Sequence, residues 1–195
     1  NYAYILAFDW TFEEVTMSYP AKYATIPVRN AIKEAKSIYT FMDSVAVEGY
    51  KATYDKFMNA LNEAESNLAT GAYTDVKKVF ADVETLNAAM GAYVYSKIQW
   101  VCNIYMEELR EKYEYEGLLV PSNNPQEGYY LQEAWDTYIV ANLEEKAYEL
   151  YEKAKENKYA YINEMKRFIN SIQGNVDSFL ASKITFVTLP KVYTS

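Results

Sequence analysis

The chain of 195 residues has no histidine and a single cysteine. Without histidine it lacks the commonest metal ligand and the usual proton shuttle of neutral pH. It also lacks the Glu-x-x-His pairs that hold di-iron centres in helical bundles. Cys102 has no partner for an internal disulfide. It lies in "KIQWVCNIY" on an apolar stripe, where a thiol serves as a small buried side chain and no imidazole is at hand to activate it. No glycine-rich phosphate loop and no G-x-S-x-G elbow occur. No run of ~18 apolar residues is present, so no membrane-spanning helix is expected.

Positive charge is scarce. Nineteen Lys and Arg face 27 Asp and Glu, a net charge of −8. No basic run exceeds a pair such as Lys77-Lys78 or Lys166-Arg167. A phosphate-gripping protein shows a basic face, so nucleic acid is disfavoured as a partner, and so is an anionic membrane surface. The carboxylates Glu107, Glu108, Glu111, Glu133, Glu144, Glu145, Glu149 and Glu152 read as a solvated acidic face. These absences point to a protein that is not an enzyme. No catalytic, metal-ligating or cofactor-binding residues are assigned, and no cofactor is expected. The chain opens on Asn rather than Met, which leads us to expect a processed product or fragment with any leader already removed.

Tyrosine is abundant: 21 residues in a chain that is half apolar. Its ring packs while its hydroxyl stays wet, which is why it gathers at protein interfaces. The opening stretch, "NYAYILAFDWTF", sets Tyr2, Tyr4, Leu6, Phe8, Trp10 and Phe12 on every second position. That alternation is the mark of a half-buried strand.

The rest of the chain changes to a helical beat. After a connector to residue 24, Thr25 is a candidate N-cap and Pro27 suits the first turn. A helix is expected over 27–69, with Ile32, Ala35, Ile38, Met42, Phe57, Leu61 and Leu68 on its stripe. Gly71 suits a left-handed C-cap, and Thr74 can cap a second helix over 75–116. That helix carries Val76, Val79, Phe80, Val83, Leu86, Met90, Val94, Ile98, Val101, Tyr105, Leu109 and Tyr113 on a stripe whose steps are mostly three and four. "GLLVPSNNPQEG" is a loop. A third helix is expected over 129–173, carrying Trp135, Leu143, Leu150, Met165 and Ile172, with a thinner core at the polar patch 155–158. Gly174-Asn175 is read as its break, leaving a short helix and then "ITFVTLPKVYTS", a β-branched strand ended by Pro190. The expected fold class is therefore all-α: an elongated antiparallel three-helix bundle (25–174) with extended segments at 1–24 and in 175–195. At 1.5 Å per residue, a helix of ~42 residues spans roughly 60 Å.

Centring the first turn near Gly71 places Gly49 opposite a position near Tyr93, on a level with Gly91 and Ala154. Three small residues there would let helices approach closely. The same arithmetic sends the C-terminal tail out at the Gly71 end, away from the 117–128 loop and the aromatic strand, unless residues 175–195 fold back. Trp100 and Trp135 read as core packing. Tyr148, Tyr151, Tyr159 and Tyr161 cannot all face one core, so some are exposed or covered by another chain.

A strand needs an edge to pair with. We therefore expect the interface residues to be Tyr2, Tyr4, Leu6, Phe8, Trp10 and Phe12 in the arm and Phe186, Val187 and Leu189 in the tail. The expected function is structural: a subunit of a homo-oligomer or polymer, such as a virion coat or tail protein or an extracellular surface filament. Strands at opposite ends of a rod, joined between neighbours, would give rings or open filaments. The alternative is a helical bundle that binds an apolar ligand or lipid, with an adhesin-like surface module sharing the same rod.

Overall fold

The computed structural model describes residues 24–43 and 50–189. They are mostly helical, which places the chain in the all-α class. We label the helices α1 (Ile26–Asp43), α2 (Lys51–Ala69), α3 (76–114), α4 (132–154) and α5 (Ile162–Leu180). Two short strands, β1 (Leu119–Val120) and β2 (Tyr130–Leu131), lie between α3 and α4. The molecule divides into two units, Asn1–Val94 and Tyr95–Ser195, with the division falling inside α3.

In the first unit the helix expected over 27–69 is two helices. Tyr50 precedes α2 with a non-helical backbone (φ −115°, ψ 33°). The sequence before it, with Val45, Val47 and Gly49, is poor in helix formers; residues 44–49 lie outside the described residues. α1 buries Val28, Ala31, Ala35, Ile38 and Met42, spaced by threes and fours. Lys36 on α1 pairs with Glu65 on α2. Gly71 ends α2 with φ +69°, a left-handed turn that costs glycine nothing. Asp75, rather than Thr74, caps α3: its Oδ1 accepts the Lys77 amide at 2.9 Å. Further along, Asn67 donates to Asp82 at 3.1 Å and Tyr93 stacks on Phe57 with ring centroids 5.1 Å apart. As positions on α2 fall, their partners on α3 rise. Tyr93 thus meets Tyr54 and Phe57, because the turn is centred past Gly71, between Ala69 and Val76; Gly49, expected near this level, lies outside the described residues.

In the second unit α3 changes its winding. Val101–Tyr105 and Arg110–Glu114 are π-helical, and the Tyr115 amide reaches back five residues to the Arg110 carbonyl at 2.9 Å. The buried positions explain the first widening. Val101 and Met106 are both buried, five residues apart. An α-helix would set them on different sides, whereas a turn closed at i+5 brings them close to one line. Met106 therefore takes the core position expected for Tyr105, which is only partly buried.

α4 begins with three α-helical residues, runs as π-helix over Trp135–Glu145 and returns to α-helix over Lys146–Ala154. The third predicted helix breaks at 155–158, in the polar "KENK" stretch, and not at Gly174. Four consecutive polar residues offer no apolar side chain to hold a helix against a core. Gly174 costs α5 about 1 kcal/mol against Ala, but Ile172, Val176 and Phe179 are all buried around it and carry the helix to Leu180. α5 returns along α4: Lys153 bridges Glu164 at 3.2 Å, Asn142 donates to Asn175 at 3.0 Å, and Trp135 meets Phe179 at 5.3 Å. The tail therefore leaves α5 beside the loop that ends α3, the opposite placement from the one expected above.

Candidate interaction surface

The loop between α3 and α4 is built by three anchors. Gly117 (φ +68°) turns the chain out of α3. β1 and β2 then pair in parallel, Leu119 opposite Tyr130 and Val120 opposite Leu131. Ser122 donates both its amide (3.0 Å) and its hydroxyl (2.7 Å) to Glu133 Oε1. These bonds hold the Glu133 carboxyl below the usual carboxylate range.

The tail adds to the free side of this pair. The Gly128 amide donates to the Ile184 carbonyl and the Ile184 amide donates to the Tyr129 carbonyl, both at 2.8 Å. Gly128 has φ +86°. Two residues thus face one, with glycine in the first place, which is the geometry of a G1 bulge between antiparallel segments. Two residues further on, the Leu131 amide donates to Ser182 Oγ at 3.2 Å, keeping the same register. Beneath this patch Tyr113, Tyr130, Trp135 and Phe179 pack ring on ring. Phe179 is the hub, at 5.0, 5.1 and 5.3 Å from Tyr113, Tyr130 and Trp135. Trp135 and Phe179 are fully buried. Both aromatic edges and helix ends are therefore spent on fixing the place where the tail departs.

Beyond Ile184 the tail is extended but is not paired as a strand. Among the described residues no hydrogen bond holds the backbone of 185–189. An isolated extended segment finds no ladder, which is why the strand expected at Ile184–Leu189 is absent here. Phe186, Val187 and Leu189 are 57%, 82% and 79% exposed. The six residues 184–189 carry no charge, and Lys183, Pro190 and Lys191 flank them. The remaining expected interface residues, Tyr2, Tyr4, Leu6, Phe8, Trp10 and Phe12, lie outside the described residues. The Gly128–Ile184 bulge and the Ser182 contact were not foreseen; the glycine in "QEGYY" is the one sequence signal that marks them.

Other candidates resolve into packing. Trp135 is core. Trp100 stacks on Tyr105 at 4.5 Å with Lys97 Nζ 3.7 Å above its ring. Burial pushes the Cys102 thiol up to about 11, with the Glu144 carboxylate adding to the rise, so it is a poor nucleophile. Arg110 holds Glu144 through Nη2 at 2.7 and 2.6 Å, tying α3 to α4. Of the helix-surface tyrosines, Tyr148 is 61% exposed and stacks on Tyr151, which stacks on the buried Tyr95. Among the described residues no group of three His, Cys, Asp or Glu could hold a metal ion, and no helix is long and apolar enough to cross a membrane. No protein-family model, curated protein or solved structure matches the chain.

Proposed function

We propose that this chain is a non-enzymatic structural protein that self-assembles by strand addition at its C-terminal tail. The observation that carries the reading is the tail itself: an extended, uncharged, β-branched segment whose first residue is clamped by two 2.8 Å backbone bonds and whose apolar side chains face solvent. Native proteins blunt such edges with charge, bulges or covering elements. An edge held out in fixed register offers main-chain bonds for affinity and alternating side chains for specificity. The arm at residues 2–12 has the matching pattern, a large apolar group at every second position, and the arm of a second copy is the occupant we assign to the tail. Within each unit the helices are read as antiparallel neighbours, a reading supported by Phe57–Tyr93 in the first unit and Asn142–Asn175 in the second. Virion coats and surface filaments are the assemblies such a subunit would build.

Deleting residues 1–12 and measuring mass by light scattering tests this. The intact chain should gain mass with concentration and the shortened chain should stay monomeric. Identical masses at all concentrations would remove the arm as an assembly device.

A further inference from the structure

A groove of about 440 Å³ runs between α4 and α5. Its floor is apolar, from the buried Leu150 and Phe168. Its walls carry charge of both signs: Lys146 and Glu149 from α4, Glu164 and Arg167 from α5. Glu164 is already taken by Lys153 at 3.2 Å. Among the described residues Lys146, Glu149 and Arg167 make no ion pair. The contacts Asn142–Asn175 and Lys153–Glu164 fix how the helices face each other, and they set Glu149 level with Arg167. Two opposite charges thus stand across one groove without closing on each other. At the far end the Asn142–Asn175 hydrogen bond, and that from Asn175 Nδ2 to the Ser171 carbonyl, leave Asn142 Oδ1 as an acceptor.

We infer that this groove binds a zwitterion with an apolar body, namely a free apolar α-amino acid or a short apolar peptide. Arg167 and Lys146 would take the carboxylate, where the guanidinium's paired donors suit a planar anion. Glu149 would take the ammonium, and the side chain would lie over Leu150 and Phe168. A simple fatty acid leaves Glu149 opposed to its head group; an amine leaves Arg167 and Lys146 without use. The volume is in the range of small-molecule pockets, ≈ 300–1,000 Å³. This site is separate from the tail, and it stands or falls independently of self-assembly.

Calorimetric titration of the full chain with four probes tests it: L-phenylalanine, the dipeptide Leu-Phe, 3-phenylpropanoate and phenethylamine. A saturable isotherm is expected for at least one of the first two, and which one binds tells amino acid from peptide. The two single-charge analogues should be weaker by about tenfold or more, the scale of one charge-assisted bond. In Arg167→Gln the zwitterion should lose its advantage over phenethylamine. In Glu149→Gln it should lose its advantage over 3-phenylpropanoate. Both side chains are exposed, so circular dichroism should show the fold unchanged. No saturable heat from either zwitterion up to about 20 mM, weaker than any useful affinity on the standard scale, would overturn the proposal. So would equal binding of all four probes.

Discussion

Gly128 is the position where one methyl group should speak most directly about how the tail is held. It has φ +86°, and a Cβ built there meets nothing within 4 Å. Gly128→Ala therefore adds no clash with neighbours; its cost is the backbone's own, about 1–2 kcal/mol for an L-residue in left-handed space. The strain relaxes if the segment leaves the bulge, and leaving breaks both 2.8 Å bonds to Ile184. The opened tail thus gains population by a factor of roughly 5–30. Amide hydrogen exchange read residue by residue should show Ile184 exchanging faster by that factor, while Met165 and Ile169 in α5 keep their protection. Gly174→Ala is the control. That glycine is helical, exposed and equally free of neighbours, so the same methyl should stabilise α5 by about 1 kcal/mol. Unchanged exchange at Ile184 in Gly128→Ala would refute the reasoning, and so would a destabilising Gly174→Ala.

Three further outcomes follow from the cores of the two units. Tyr73 and Tyr95 are pushed up to about 12 chiefly by burial, with Asp82 adding to the first and the ionisable Tyr151 hydroxyl to the second. Their folded values lie above the unfolded value near 10, so the stability they carry is complete below pH 10 and is lost as pH rises toward 12. Urea unfolding should weaken there by about 1.4 kcal/mol per pH unit for each tyrosine, and Tyr73→Phe should remove one share of that slope. Cys102, with its thiol near 11, should react with an alkylating agent at pH 8 at least about tenfold more slowly than a free thiol of pKa ~8.5, the smaller thiolate fraction outweighing its greater nucleophilicity; parity with free cysteine would contradict its placement. Trp135→Ala empties the ring cluster around Phe179 and should cost about 3–5 kcal/mol in denaturant unfolding, with a loss under 1 kcal/mol showing that the cluster is not packed as described.

Much of the helical pattern was legible because burial leaves its period in the sequence. Ile32, Ala35, Ile38 and Met42, and Val79, Leu86 and Met90, are buried as their spacing indicates. What could not be read are choices between competing terms. Gly174 and the 155–158 patch both argue for a break. The buried Ile172, Val176 and Phe179 outweigh the cost of the glycine, whereas the patch has nothing to bury. That single reversal moved the tail from one end of the expected rod to the neighbourhood of the 117–131 loop. The π-helical stretches are invisible to a search for steps of three and four, because the five-residue step from Val101 to Met106 looks like a lapse in the stripe. The G1 bulge was also hidden, since it joins Gly128 to a residue 56 positions away and depends on the helix reversal between them.

Strand addition at the tail is most directly tested by hydrogen exchange at the amides of Thr185, Phe186, Val187, Thr188 and Leu189, compared between the intact chain and one lacking residues 1–12, both at a concentration where the intact chain has gained mass. The account predicts that alternate amides in this stretch are protected in the intact chain and exchange near the open-chain rate in the shortened one. Equal, rapid exchange in both, in a sample that nonetheless oligomerises, would place the contact elsewhere and contradict it.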